Sequence, residues 1–134
     1  MRFAHIAMLC ESWGWRIKPQ EYLGFKEYFE RMLGRERVMI MMNDGFPCAI
    51  LTFFLTNDYE SLYKKSEWAT PIDDETGSQI YVDKMVSSGW TPTLRRKVQE
   101  TIEERFPNVM EGYYHRAPYD RCVKIYRRRQ KCTK

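Results

Sequence analysis

The sequence predicts an α/β fold: a central mixed sheet flanked by helices, with an antiparallel front half and a strand-helix-strand crossover behind it. Three observations predict it. Two apolar runs, Val38–Met42 and Phe46–Phe54, are separated by Asn43-Asp44-Gly45, a short turn that favours positive φ and therefore a tight hairpin. Ser78–Val86 alternates Ile80, Val82 and Val86 on one face with Tyr81, Asp83 and Met85 on the other, the period of a strand. That strand runs through Ser87-Ser88-Gly89-Trp90 into Thr91-Pro92, a hydroxyl cap followed by a residue suited to the first helical position. Leu94, Val98 and Ile102 then recur at i, i+4 and i+8, so a helix with one apolar stripe extends to about Arg105 and stops before Pro107.

Taken from the amino terminus, Phe3, Ile6, Ala7 and Cys10 have helical spacing and Gly14 is a stop. A second helix begins at Pro19, carries Tyr22, Phe25, Phe29, Met32 and Leu33 on one stripe, and closes at Gly34. Arg35-Glu36-Arg37 reads as a solvated connector into the hairpin. Pro47 places an edge or a bulge near the start of the second hairpin strand, because it cannot donate to a ladder. A short helix from Asp58 to about Lys64 is expected with Asn57 as its cap. Asp73-Asp74-Glu75-Thr76-Gly77 reads as a solvated turn before the central strand. After the capped helix, Val109–His115 is strand-like. Pro118 opens a predicted last helix with Tyr119, Cys122, Val123 and Tyr126 on one stripe and Arg121, Lys124 and Arg128 facing away.

A chain of 134 residues has the length of one domain, taken as residues 1–134 with a short basic tail at 127–134 that holds five cations in eight positions. The formal net charge of +4 suits an anionic ligand. Cys10, Cys48, Cys122 and Cys132 are scattered, with no metal or redox spacing. Arg2–Trp15 lacks the apolar run and cleavage site of a secretory signal, so a reducing cytoplasmic location is expected. No apolar run approaches the ~20 residues of a membrane span. No metal is expected: the 2 histidines are too few for a histidine-rich site, and the acids at 73–75 lack the spacing of a calcium loop.

The candidate site follows from the strand-loop-helix. A loop at the carboxyl end of a strand, feeding a helix N-terminus, is where α/β sheets bind anions. The backbone N–H groups from Ser88 to Thr93, the hydroxyls of Ser87, Ser88 and Thr91, the conformational freedom of Gly89 and the charges of Arg95 and Arg96 are the groups available to phosphate.

Three stretches resemble the GNAT superfamily of N-acetyltransferases, which gives a GNAT-like reading of the sheet. Arg37–Ile50 is similar to that superfamily's second and third strands, Ser78–Phe106 to its fourth strand and third helix, and Ala117–Tyr126 to its fourth helix. Within the superfamily, Arg37–Pro107 is also similar to the toxin-activating lysine acyltransferases, matched at the hairpin turn, at Asp83 in the central strand and at Phe106-Pro107. The resemblance implies an acyltransferase that moves an acyl group from acetyl-CoA, another acyl-CoA or an acyl-carrier protein to an amine on a protein or small molecule. It implies that the loop from Ser87 to Thr91 holds the CoA pyrophosphate, that an N–H near Met85 stabilises the oxyanion, that Asp83 orients or deprotonates the amine, and that Tyr126 protonates the departing thiolate. Competing readings make Asp83 one half of a cross-strand ion pair, Tyr126 a core ring with a wet hydroxyl, and Arg95-Arg96-Lys97 a solvated helix face. The alternative function is a non-catalytic binding or structural module, phage-encoded in one version, that takes nucleic acid on the basic tail with Tyr113, Tyr114 and Arg116 nearby.

Overall fold

The computed structural model describes residues 3–15, 17–63, 73–116 and 121–129. The elements run α1 (Phe3–Ser12), α2 (Tyr22–Gly34, entered through a single 3-10 turn at Pro19–Glu21), β1 (Val38–Asn43), β2 (Phe46–Thr56), α3 (Tyr59–Tyr63), β3 (Gln79–Ser87), α4 (Pro92–Arg105), β4 (Glu111–Arg116) and β5 (Arg121–Arg127). The five strands form one mixed sheet in chain order. Neighbours are antiparallel except β3 and β4, which run parallel with α4 as the crossover between them.

Local chemistry explains most of this. Asp44 and Gly45 both have positive φ, 50° and 83°, the two-residue loop that matches the twist of a hairpin. The strand β2 is buried on both faces from Ala49 to Thr56, which is why it reads as a continuous apolar run with no alternation. The helix α4 starts where the sequence places it: the Thr91 side chain accepts a 3.1 Å bond from the Leu94 N–H, and Leu94, Val98 and Ile102 are buried. At α3 the cap is displaced by one residue. Asp58 Oδ1, and not Asn57, accepts from the Ser61 N–H, while Asn57 Oδ1 takes the Ser78 N–H.

Two cores lie on opposite faces of the sheet. Between the sheet and α4 are Met39, Met41, Leu51, Phe53, Leu55, Ile80, Val82, Leu94, Val98, Ile102 and Tyr126. On the other face α1, α2 and α3 pack Ile6, Phe25, Tyr28, Phe29, Met32 and Leu62 against Ile50, Phe54, Tyr81 and Tyr113.

Three ladder irregularities change which residues share a face. Pro47 opposes Met42 while Ala49 opposes Met41, which leaves Cys48 as the extra residue of a bulge beside the proline. In β3, Val82 opposes Phe53 and Lys84 opposes Thr52, so Asp83 is the extra residue. The alternation read from the sequence therefore fails after Val82: Met85 packs on the α4 face and Val86 on the α2 face. In β5, Ile125 is extra, because Gly112 opposes Tyr126 while Tyr113 opposes Lys124. Ile125 and Tyr126 thus both belong to the α4-side core, and Gln99 of α4 donates a 2.8 Å bond to the Ile125 carbonyl.

The last element is a correction. The stripe at 118–126 predicts a helix, yet residues 121–127 form the strand β5, paired antiparallel with β4; residues 117–120 lie outside those described. Cys122, Val123, Ile125 and Tyr126 satisfy either period, and the open edge of β4 offers a ladder that a seven-residue helix could not match in hydrogen bonds. Two solvated segments are also corrected. Arg37 is 9% exposed, and its Nη2 and Nε lie 2.7 and 3.0 Å from Asp73 Oδ2, while Asp73 Oδ1 accepts from the Leu55 N–H at 2.8 Å.

Arg128, just beyond β5, closes the C-terminus of α4. Its Nε donates to the Val109 carbonyl at 2.9 Å, and its Nη2 donates to the carbonyls of Phe106 at 3.0 Å and Glu103 at 3.1 Å. Of the three carbonyls, that of Glu103 belongs to the last helical turn, where Pro107 offers no N–H, so the cation supplies its missing donor and complements the helix dipole. Arg128→Ala is expected to cost about 2–3 kcal/mol in urea unfolding, and Arg128→Lys to recover less than half, since an ammonium cannot span three carbonyls as a planar fork does. A loss below about 0.5 kcal/mol for the alanine variant would refute the clamp.

Candidate ligand-binding site

The strands β3 and β4 part company halfway along. Their parallel ladder runs through four pairs, from Gln79 with Glu111 to Val82 with Tyr114. Beyond it, β3 continues to Ser87 and β4 to Arg116 with no pairing between them among the described residues. A wedge therefore opens at the carboxyl ends of two parallel strands, where open α/β sheets take ligands.

Two features of β3 face this opening. The bulge at Asp83 sits at the point of parting. After it, Ser88 N–H bonds to the Cys48 carbonyl at 3.1 Å, which fixes the alternation of the antiparallel ladder: Lys84 and Val86 turn their backbone groups toward β2, and Met85 and Ser87 turn theirs toward the β4 side. The Met85 N–H thus has no ladder partner among the described residues and is directed into the wedge. The Asp83 carboxylate accepts from the Tyr28 hydroxyl of α2, and the same hydroxyl lies 2.8 Å from Thr52 Oγ1. Thr52 Oγ1 also accepts from the Lys84 N–H at 3.1 Å. Burial, and after it the charge of Asp83, pushes the Tyr28 phenol well above its ordinary pKa, so it remains a donor to the carboxylate across the physiological range.

The loop after β3 borders a second feature, a hollow of about 420 Å³ on the β2 side of the strand end. Asn43, Cys48, Ser88, Gly89, Thr91, Thr93, Leu94 and Lys97 line it. The basic group here is Lys97, whose Nζ donates to the Met42 carbonyl at 2.7 Å. Of the loop and first-turn N–H groups, Ser88 donates to Cys48 and Leu94 to the Thr91 hydroxyl, and Pro92 has none. Among the described residues, Gly89, Trp90, Thr91 and Thr93 are left to meet an anion.

The structure therefore brings together Asp83, Met85 and Ser87 at the wedge, and Ser88, Gly89 and Thr91 at the adjoining hollow. It does not bring Arg95 and Arg96 to that hollow. They line a different groove, between α4 and β5. The reason is helical geometry: at 100° per residue, with Leu94 pointing at the sheet, Lys97 flanks the stripe on one side and Arg95 on the other. Thr101 follows Lys97 toward Met41, and Gln99 follows Arg95 toward Ile125.

Tyr126 is also placed apart from Asp83. It lies in β5 with its side chain in the α4-side core, 5% exposed, whereas Asp83 joins Tyr28 on the α2 side of the sheet. Its Cβ is so close to β4 that a Cβ on Gly112 would lie 2.9 Å from it. The Tyr126 hydroxyl is buried with no hydrogen-bond partner among the described residues. Burial pushes the phenol above its ordinary pKa.

Residues that the sequence reading passed over are Tyr28, Thr52, Cys48, Asn43 and Lys97. Lys97 carries a readable signal, its angular position beside the Leu94–Val98 stripe. The partnership of Tyr28 with Asp83 spans 55 positions and has no local signature.

Among the described residues no group of three or more His, Cys, Asp or Glu side chains is placed to hold a metal ion, and no helix is long and apolar enough to cross a membrane. No protein-family profile, no curated protein and no solved structure matches the chain.

Proposed function

We propose that the chain is an acyltransferase that binds an acyl thioester, from acyl-CoA or an acyl-carrier protein, and passes its acyl group to an amine. The observation that carries this reading is the Met85 N–H turned into the wedge beside the bulged Asp83. A thioester carbonyl lying in the wedge accepts from that N–H, and the donor strengthens as attack turns the carbonyl into an oxyanion. The Asp83 carboxylate, held by Tyr28, accepts an N–H of the incoming amine and removes its proton. Nitrogen then bonds the acyl carbon, the C–S bond breaks, and the thiolate leaves. The thiolate takes its proton from water, because the buried Tyr126 hydroxyl is on the other face of the sheet. The phosphates of a CoA donor lie at the loop from Ser88 to Thr93, with Lys97 supplying the charge.

Calorimetric titration with acetyl-CoA and longer acyl-CoAs tests this directly. Micromolar binding is expected, weakened about 10-fold by Lys97→Ala through loss of one charge-assisted contact of about 1.4 kcal/mol and unchanged by Arg95→Ala. Equal losses for the two variants would move the phosphates to the other side of α4. No binding of any acyl-CoA, together with no thiol release from acylated carrier protein, would end the proposal.

A further inference from the structure

A second binding surface lies on the far side of α4, away from the wedge and independent of the acyl-transfer reading. A groove of about 660 Å³ runs between the outer row of α4 and the strand β5, lined by Arg95, Arg96, Lys124, Arg127 and Arg129 with Tyr126 among them. A second hollow, lined by Met110, Glu111, Arg127, Arg128 and Arg129, shares three of its residues with the end of β5 and its continuation, so the two form one track. The charges do not cancel. Glu100 and Glu103 also line the groove, Glu103 lies 4.0 Å from Arg128, and Lys124 lies 3.5 Å from Glu111. Arg95, Arg96, Arg127 and Arg129 are exposed and make no ion pair within 4.0 Å among the described residues.

The Tyr126 ring also lines the groove, with the Arg128 guanidinium 6.0 Å from its centroid.

We propose that this track binds a single-stranded nucleic acid through its phosphates. Three findings favour that occupant. Guanidinium groups predominate, and their planar fork matches phosphate oxygens. The exposed arginines come from two elements, Arg95 and Arg96 on α4 and Arg127 and Arg129 at the end of β5 and its continuation, so the charge is spread along the groove as a run of phosphates requires rather than gathered at one point. The exposed arginines make no ion pair within 4.0 Å among the described residues, which leaves them available to a polyanion.

The test is fluorescence anisotropy of the full chain with a labelled 12-nucleotide RNA, the same sequence as DNA, its duplex, and polyglutamate as competitor. With four phosphate contacts, affinity for a single strand is expected to fall about 50-fold between 50 and 200 mM salt. Arg96→Glu with Arg127→Glu is expected to weaken binding more than 10-fold, while Lys18→Glu with Arg35→Glu, away from the groove, changes it less than 2-fold. Tyr126→Phe is expected to change binding less than 2-fold while leaving the melting temperature unchanged or raised, because it removes a buried hydroxyl that lacks a partner among the described residues. RNA and DNA binding alike supports a backbone reader, and preference for either single strand still supports the track. No binding at 50 mM salt, equal effects of the two charge reversals, stronger binding of the duplex, or equal competition by polyglutamate at matched charge would each overturn it.

Discussion

Asp73→Ala is expected to lower unfolding stability by about 3–5 kcal/mol, the largest single loss outside the apolar cores. The carboxylate has two duties at 10% side-chain exposure. It neutralises the equally buried Arg37 guanidinium, and it accepts the Leu55 N–H of β2. Removing it leaves a buried cation and a buried donor together. Against a typical domain stability of about 5–15 kcal/mol, that brings the chain close to its unfolding threshold at 37 °C. The variant Arg37→Met with Asp73→Ala separates the two duties. Arg37 lies over the Phe53 ring at 5.8 Å, so a methionine there packs on the same surface without a charge. The double variant is expected to recover at least 1 kcal/mol relative to Asp73→Ala alone. Urea unfolding of the three proteins decides it; a loss under 1 kcal/mol for Asp73→Ala would mean that the guanidinium finds water in the folded state.

Asp83→Asn is expected to reduce amine-dependent thiol release by about 100-fold or more with little change in acyl-CoA affinity, because proton removal by a positioned base contributes on that order. The amide keeps an oxygen for the Tyr28 hydroxyl, so the fold persists and the loss is chemical. Tyr28→Phe leaves the carboxylate in place but without its anchor from α2, and a loss of about 10-fold is expected there. Readouts are the thiol released with a panel of primary amines and, for each variant, the melting temperature. If Asp83→Asn lowers the melting temperature and spares the rate, the carboxylate is a strut between β3 and α2 and the base lies elsewhere.

What was legible in the sequence is what short-range chemistry controls. The hairpin turn at Asp44-Gly45, the Thr91-Pro92 start of α4 and the Leu94–Ile102 stripe each depend on neighbours within a few positions, and each is found where the sequence puts it. The failures share a different cause. The face of Met85 depends on a bulge that exists only because β3 pairs with β2. The strand at Arg121–Arg127 depends on an open edge at β4, and without that edge its apolar spacing is equally good for a helix. Arg37 reads as solvated because its carboxylate is 36 positions away. The candidate site divides the same way: Asp83, Ser88 and Thr91 could be named from the strand-loop-helix, but the separation of Arg95 from that loop required the packing of α4 to be known.

The short ladder between β3 and β4 bears on how the wedge keeps its width. β4 shares four pairs with β3 and six with β5, so mechanically it belongs to the rear hairpin. That hairpin is held to α4 by Gln99 at Ile125 and by Arg128 at the helix end, both on the side of the sheet away from Asp83. The two jaws of the opening are accordingly set apart by a brace behind them, and their spacing is a property of how α4 seats on β5 rather than of any residue that a ligand in the wedge would touch.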